Sequence, residues 1–388
     1  MASAVTAPDW LAARRERAAV LSRELALPTT KTKGWEFTDL SELDLDAYAE
    51  GSASVAGLTE RADDGLIVMP LGAAAETYPD LVSERLGTVV PGNDAFTARN
   101  EARWRDGVFV YVPAGARLAE PLRLTIAAAA GDEVEWRALI VLGDGAEAEV
   151  WERYSSEGPG LFNGVVELIV GAGANLRYVC EQDVSDHAWM FATQRAELGR
   201  DANIDWVALG FGSARGKVRM ETKLAGRGSS AKVTGAYAGT GSQHLDYDTT
   251  QEHAAPNTFS DLAFRGVLGG SSTAVWRGMI RVDKDAQQTD AFQESRNLLL
   301  SPKAHADAIP GLEIEADDVR CTHAAAVAQV DAEQLFYLRS RGFSEENAKR
   351  LVIDGFLQEL VERSIEGPIR DALATALERR LSELLASA

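Results

Sequence analysis

A short unit recurs through the middle of the chain: a glycine-rich turn, a small residue and then alternating apolar positions. Its copies begin at Gly143, Gly171, Gly199 and Gly226, which are 28, 28 and 27 residues apart. A fixed period in this range, built from strand-like segments, is typical of a solenoid. The unit contains no helix-like segment and is too short for a four-stranded propeller blade. The sequence therefore predicts a mainly β fold, a parallel β-helix, with an antiparallel sandwich as the alternative.

The strand-like character begins near residue 107 and is flanked by different sequence on both sides. Weaker copies of the unit lie at 113–118 and 269–276. Residues 8–27 have the pattern of a helix bounded by prolines, and 31–105 are mixed. We expect three segments: an N-terminal helical or mixed region at 1–105, a β-helix core at 106–328 and a C-terminal helical domain at 329–388.

The C-terminal segment has helix signals in three places. Asp331 and Gln334 resemble a capping box, and Ser344 followed by two glutamates predicts a second helix start. Gly367 and Pro368 precede a third helix with one apolar stripe. These helices are expected to pack on each other, to cap the solenoid or to present a surface to another protein.

Charge and cysteine content exclude several classes of function. The chain has 39 basic and 59 acidic residues, a net charge of −20, which repels phosphate backbones and anionic membranes. Nucleic acid and membrane partners are therefore not expected. Two cysteines are too few for a disulfide framework. The N-terminus lacks the apolar region of a signal peptide, and no run of about 18 apolar residues exists, so a cytoplasmic protein is predicted.

Common catalytic motifs are absent from the sequence. The segment 210–218, GFGSARGKV, lacks the spacing of a phosphate-binding loop and has Val218 where serine or threonine must bind magnesium. Neither a dinucleotide fingerprint nor a nucleophile elbow is present. His187, His244 and His253 lie in loop-like stretches, where single histidines are expected to be solvated.

The stretch EADDVRCTHAAAV places one of two cysteines, Cys321, two residues from one of five histidines, His323. In a strand the two side chains share one face, together with Val319, Ala325 and Val327. The apolar neighbours favour a buried cysteine and a hydrogen-bonded histidine of the core. The same geometry also suits iron or zinc, but two ligands make only half of a four-ligand site. Such a half-site needs completion by another chain or by substrate.

The C-terminal third, from RNLLLSPKAHADAIPGLEIEADDVRCTHAAAVAQVDAEQLFYLRSRGF into EENAKRLVIDGFLQELVERS, closely resembles the SufB/SufD family of iron–sulfur cluster assembly proteins. KTKGWEFTDL, near the N-terminus, is similar to the family's Trp-centred entry motif. The glycine period fits the family's right-handed parallel β-helix. The resemblance covers essentially the whole chain.

The resemblance implies a complex of a SufB-type scaffold, a D-type paralogue and a SufC-type ABC ATPase. The two β-helix proteins pair through their solenoids, and their C-terminal helices each bind one ATPase subunit. ATP binding draws the ATPases together, strains the pair and opens the site where a nascent cluster forms. A cysteine desulfurase supplies the sulfur. No cofactor is expected to be stably bound by this chain alone, and by itself it is expected to catalyse nothing.

Within the family the chain looks like the D-type branch. Residues 290–315 contain no cysteine where the scaffold type has its assembly cysteine. The family's functional histidine maps onto His323 and its neighbour onto Cys321. Ala324 and Ala326 replace the usual glycine and threonine, which puts the local backbone geometry in doubt. We therefore expect Cys321 and His323 to face the partner solenoid and to supply one part of a shared iron or sulfur site.

Four apolar residues of the C-terminal helices are candidates for binding the ATPase, although they could equally pack the helices together: Phe336, Leu338, Phe356 and Leu360. A rival class is a β-helix enzyme acting on polysaccharides, for which Asp246 and Asp248 are the nearest carboxylate pair. A third interpretation is a structural paralogue that pairs with itself as a homodimer.

Overall fold

The structure is a computed structural model that describes residues 8–363 and 367–386, so the outermost ends of the first and last predicted segments lie outside it. A 3₁₀ turn spans Leu45–Ala47. The helices are α1 Asp9–Glu24, α2 Leu71–Thr77, α3 Pro79–Ser83, α4 Ala95–Arg103, α5 Ala332–Ser340, α6 Glu345–Arg363 and α7 Pro368–Ala386. The strands are β1 Ala49–Glu50, β2 Ser54–Ala56, β3 Arg61–Asp63, β4 Leu66–Pro70, β5 Asp106–Val112, β6 Leu122–Ala128, β7 Asp132–Leu142, β8 Glu147–Ser156, β9 Leu161–Val170, β10 Asn175–Asp183, β11 Trp189–Leu198, β12 Asn203–Gly210, β13 Arg215–Leu224, β14 Ser230–Gly239, β15 His244–His253, β16 Phe259–Leu268, β17 Thr273–Val282, β18 Asp290–Leu299, β19 His305–Ile314 and β20 Arg320–Gln329.

The strands from β5 onward form a parallel β-solenoid of about eight coils. Odd-numbered strands β5 to β19 form one sheet, here called sheet A, and even-numbered strands β6 to β20 form the other, sheet B. Each coil contributes one strand to each sheet, and neighbouring coils pair in parallel. The β-helix prediction is therefore confirmed, and the antiparallel sandwich is wrong. In the part of the chain that the structure describes, antiparallel pairing is confined to contacts that involve β2, β3 and β4.

The repeated glycines lie where the chain turns from sheet A into sheet B. The backbone N–H of Gly171 donates to the carbonyl oxygen of Leu142 in the preceding coil at 2.8 Å. A Cβ atom at Gly226 would come within 2.0 Å of the backbone nitrogen of Arg200, so coils approach too closely for a side chain there. The copy predicted at 269–276 lies instead at the opposite turn, between β16 and β17.

A second column at the same turn consists of residues with left-handed backbone. Gly145 has φ of 68°, and the equivalent positions two residues before β16 and β18 are Asn257 and Gln288, with φ of 60° and 59°. The backbone N–H of Gln288 donates to the carbonyl oxygen of Asp318 in the next coil at 2.6 Å. Asparagine tolerates this conformation, whereas glutamine has no such local advantage.

Gln288→Gly is expected to raise the free energy of unfolding by about 1 kcal/mol, because glycine removes the left-handed strain. Gly145→Ala at the equivalent position is expected to lower it by about 1 kcal/mol. A Cβ atom at Gly145 would meet nothing within 4 Å, so the change tests the backbone alone. Urea unfolding of both variants measures the two effects, and shifts of the same sign would contradict this account.

The two sheets carry different covers on their outer faces. The N-terminal helices and the segment around Trp35 pack on sheet A, where Trp35 stacks on Phe96 and Phe96 on Phe191. The helices α6 and α7 pack on each other and on the outer face of sheet B. Their buried residues include Leu360 and Leu373, which meet Ala263 of the sheet in one apolar cluster. The helices therefore lie along the side of the solenoid and do not cap its end.

A group of buried charges attaches the N-terminal region to sheet A. Arg137 of β7 is fully buried, and its guanidinium lies 2.6 Å from Glu101 of α4 and 2.7 Å from Glu167 of β9. Glu167 also accepts the backbone N–H groups of Gly87 and Val89 at 2.8 and 3.1 Å. Burial raises the pKa of Glu101, but Arg137 and Arg14 outweigh that effect and hold it below its usual value.

The solenoid interior contains a histidine that the sequence placed in a loop. His253 is the last residue of β15 and is fully buried, so the expectation of a solvated side chain is wrong. Its Nδ1 lies 2.7 Å from Thr258 Oγ1 and its Nε2 lies 2.9 Å from Ser260 Oγ. His244 starts the same strand and is partly buried, whereas His187 lies exposed in a turn.

Burial lowers the pKa of His253 from 6.5 to about 4, because the charged imidazolium loses its hydration inside the solenoid. The neutral form thus stabilises the fold above pH 6.5, and that contribution is lost as pH falls toward 4. We expect a loss of about 2 kcal/mol between pH 7 and pH 5 that is absent in His253→Gln. Urea unfolding at both pH values measures it. Equal pH dependence in the two proteins would contradict the assignment.

Candidate functional site

The candidate site lies on the last strand of sheet B. Within the described residues β20 pairs with β18 only, so one of its edges is unpaired. Cys321 lies in register with Ala291, and His323 lies in register with Gln293. Both β18 residues are buried and face the solenoid interior. Cys321 and His323 therefore share the interior-facing side of the final coil.

Cys321 sits at the edge of a small apolar cluster. The cluster consists of Ile280, Val282, Ala286, Ala291 and Ala316, with Cys321 and Val319 packed against it. The thiol is half-buried, and this burial raises its pKa, to which the nearby Asp290 carboxylate adds. The thiol therefore stays protonated at neutral pH, and a metal that binds it must displace the proton. The packing of Cys321 against the apolar cluster agrees with a core residue, and the partial exposure of its thiol agrees with a metal ligand.

His323 is exposed, and the buried side chain of Gln293 lies beneath it in the preceding coil. The Gln293 amide crosses the interior and donates to the carbonyl oxygens of Gly278 and Gly311, at 3.3 and 3.0 Å. These carbonyls belong to β17 and β19, so the side chain ties the two sheets together directly below His323. Sequence reasoning missed Gln293, because its position depends on the register between β18 and β20.

The final coil also exposes apolar residues that would be interior in any other coil. Leu312 and Ile314 of β19 are 37% and 40% exposed, and Val327 of β20 is 44% exposed. Within the described residues β19 pairs with β17 only, so both strands of this coil have a free edge. We call β19 and β20 together the open end. An apolar surface flanked by two unpaired edges is a typical binding surface for another chain.

The open end does not hold a complete metal site. Across residues 8–363 and 367–386, no three His, Cys, Asp or Glu side chains are grouped closely enough to bind a metal ion. Cys321 and His323 offer one sulfur and one nitrogen ligand, whereas structural zinc sites and iron–sulfur clusters usually use four. The pair therefore remains a half-site.

The four candidate partner-binding residues lie in different surroundings. Phe336 of α5 is 75% exposed, and Leu338 on the same helix is half-buried. Phe356 of α6 is half-buried with its ring over Arg265, and Leu360 is fully buried against sheet B. Leu360 can reach a partner only if α6 leaves the sheet. Sequence reasoning did not single out Tyr337, which is 57% exposed beside Phe336.

Asp246 and Asp248, the carboxylate pair of the polysaccharide-enzyme interpretation, are already engaged by cations of this chain. Asp246 is buried, and both of its oxygens accept hydrogen bonds from Lys217 Nζ at 2.9 Å. The Thr38 hydroxyl of the N-terminal segment also donates to it. Burial raises the pKa of Asp248, whose carboxylate lies 3.7 Å from both Lys217 and Arg277. The pair is thus part of the contact that holds Thr38 on sheet A.

The second cysteine is separate from the open end. Cys180 is buried inside the solenoid, where burial raises the pKa of its thiol to about 12. Gln194 Nε2 donates to its sulfur at 3.1 Å. A thiol with this pKa is inert at neutral pH.

None of the helices in the described part of the chain is long and apolar enough to span a membrane.

Comparison with known proteins gives two family matches. Residues 125–356 match the model for the SUF system FeS cluster assembly, SufBD core domain, and residues 46–124 match the SufBD protein N-terminal region.

Individual relatives agree along the chain. The iron–sulfur cluster assembly protein SufD of Bacillus subtilis is 30% identical over 96% of this chain and 94% of its own length. An iron–sulfur cluster assembly SufBD family protein of Mycobacterium tuberculosis is 30% identical over 92% of this chain and 89% of its own. One from Synechocystis is 27% identical over 95% and 92%. With a core-domain match over more than half of its residues, this chain belongs to the SufBD family of iron–sulfur cluster assembly proteins.

Proposed function

We propose that the chain is the D-type component of a Suf complex, in which it pairs with a SufB-type scaffold and binds a SufC-type ABC ATPase. One observation carries the proposal: Cys321 and His323 lie on the open end of the solenoid, where the described residues leave a strand edge unpaired and apolar side chains exposed. The nascent iron–sulfur cluster is cargo, held transiently where the two solenoids meet. A cysteine desulfurase supplies its sulfur through the complex.

The chemistry of the half-site supports an iron or sulfur cargo. Thiolate and imidazole are ligands that iron binds well, and the two residues leave room for ligands from a facing chain. Pairing at the open end would bury Leu312, Ile314 and Val327 and would complete the hydrogen bonding of both edge strands. The scaffold would then contribute the remaining ligands.

The experiment that tests this function is a tagged purification from the native cell, with mass spectrometry of the co-eluting proteins. Recovery of a SufB-type scaffold and a SufC-type ATPase in near-stoichiometric amounts is the expected result. Elution of the chain by itself, as a homodimer or with unrelated proteins, would refute the proposed complex.

We place the chain in the cytoplasm, where thiols stay reduced, since both cysteines are free.

We also propose the three-part division at 1–105, 106–328 and 329–388, with the last part as the ATPase-binding unit. Removal of that part is a poor test, because it would strip the apolar cover from sheet B, including the contacts of Leu360 and Leu373. A surface substitution on α5 avoids this problem.

Phe336→Ala is expected to weaken binding of the SufC-type ATPase about tenfold or more, because an exposed aromatic residue is the kind of anchor that dominates interfaces. Isothermal titration calorimetry with the purified ATPase measures the Kd. Phe259→Ala is the matched control, since Phe259 is 44% exposed on the solenoid at β16. Equal affinities for the two variants would remove Phe336 from the interface.

A further inference from the structure

A cluster of charged side chains, here called the charge pocket, interrupts the apolar contact between α6 and sheet B. Arg265 of β16 is only 3% exposed on the outer face of the sheet, with the ring of Phe356 5.8 Å from its guanidinium carbon. Its neighbours in this contact include Val267 and Ile353, which are apolar and buried. The Nε of Arg265 is buried and has no hydrogen-bond partner within the described residues. An apolar side chain would pack here at lower cost, so stability alone does not explain the arginine.

Four charges form the pocket, and each carboxylate contacts both arginines. Arg265 Nη2 lies 2.7 Å from Glu294 and 3.3 Å from Glu359. Arg296 lies 3.2 Å from Glu294 and 3.5 Å from Glu359. Glu359 belongs to α6 and is 60% exposed, whereas the other three residues belong to β16 and β18. Glu359 is thus the member of the pocket that moves with the helix.

The pocket permits two arrangements of α6. With the helix on the sheet, the two arginines share two carboxylates. Glu294 contacts Arg265 and Arg296 independently of Glu359, so a shift of α6 that separated Glu359 from the arginines would leave every buried charge with a partner. Leaving a buried charge unpaired is strongly destabilising, and Glu294 avoids that cost. The charged contacts would therefore not oppose a second position of α6 on the sheet.

The same residues lead directly to the candidate site. Glu294 lies in register with Ala324 of β20, and Arg296 lies in register with Ala326. Gln293, the residue before Glu294, lies beneath His323 in the preceding coil. Gln293, Glu294 and Arg296 all belong to β18, which is hydrogen-bonded to β20. A displacement of Glu294 and Arg296 would therefore also act on Gln293 and on β20.

We propose that Glu359 is a positioning residue that couples the place of α6 on sheet B to the geometry of Cys321 and His323. The inference rests on the proposed function, in which the ATPase binds α5 and α6. It identifies the contacts through which ATP binding would change the geometry of the half-site. Glu359 touches no cargo. It acts through Arg265, Arg296 and Glu294.

The test uses Cys321 as its own probe. Cys180 is buried and inert, so a maleimide reagent modifies only Cys321 in the folded chain. The alkylation rate is measured by mass spectrometry for the full chain with the purified SufC-type ATPase, with and without ATP. We expect ATP to change the rate about fivefold or more, the range of ordinary coupling between sites. In Glu359→Gln the ATPase should bind with unchanged Kd while the ATP effect on Cys321 disappears.

Glu362→Gln is the matched control, because Glu362 lies one turn further along α6, is exposed and accepts a hydrogen bond only from Gln358 within the described residues. It should retain the full ATP effect. Glu359→Gln with an undiminished ATP effect overturns the inference, as does a wild-type chain whose Cys321 ignores ATP. Loss of ATPase binding in Glu359→Gln would make Glu359 a docking residue and also overturn it. A wild-type chain that binds no ATPase refutes the proposed function itself.

Discussion

Arg137→Ala is expected to lower the free energy of unfolding by about 3–5 kcal/mol, the largest effect of any single substitution considered for the fold. The variant leaves Glu167 buried without its cation and leaves Glu101 with Arg14 as its remaining cation. Such carboxylates must either remain charged in a poor environment or take up protons, and both cost free energy. Urea unfolding monitored by tryptophan fluorescence gives the midpoint and the slope.

Two controls make the Arg137 result specific. Arg200→Ala removes an arginine whose side chain is 73% exposed and should change stability by less than about 0.5 kcal/mol. Combining Arg137→Met with Glu101→Gln and Glu167→Gln should recover much of the loss, because the amides still accept hydrogen bonds without a buried charge. A loss below about 1 kcal/mol for Arg137→Ala would show that water reaches this network.

His323→Ala is expected to reduce cluster formation by the assembled complex at least about tenfold, since a metal ligand contributes no less than the residues that orient it. Folding should be unaffected, because the side chain is exposed and lies on the final coil. Reconstitution of the complex with iron and a sulfide source, followed by the visible absorption of the cluster, measures the yield. Complex assembly is checked separately by gel filtration.

The matched control for His323 is His187→Ala, a substitution of the same type at an exposed turn. It should leave the cluster yield unchanged. A His323→Ala complex that forms clusters at the wild-type yield would exclude the half-site, and Cys321 would then stand as a core residue of the last coil.

Much of the solenoid could be predicted from sequence because its physical cause is local. Successive coils approach so closely at Gly171 and Gly226 that no Cβ atom fits, and this requirement repeats at a regular spacing. The period fades because alanine replaces the leading glycine at positions 255 and 286, and because Asn257 and Gln288 occupy the left-handed position two residues later. The later coils therefore show no clear copy of the unit at this turn, although their strands pair in the same way.

The rest of the fold depends on contacts that leave no local pattern. Arg137 and Glu101 are 36 positions apart, and nothing in either neighbourhood indicates that they meet. The apolar stripes of α6 and α7 would look the same on a helix that caps the solenoid as on one that lies along sheet B. At the site, strand alternation was enough to place Cys321 and His323 on one face, but Gln293 required the register of a neighbouring coil.

The position of β20 in the stack has a consequence for local unfolding. In a solenoid each coil contacts only its neighbours, so an internal coil is held from two sides and a terminal coil from one. The final coil, with Cys321 and His323, should therefore exchange its amide hydrogens through opening events of lower free energy than those of the middle coils. The half-site would then occupy the part of the solenoid whose backbone is least costly to remodel, where a facing chain can reshape the ligands as cargo arrives and leaves.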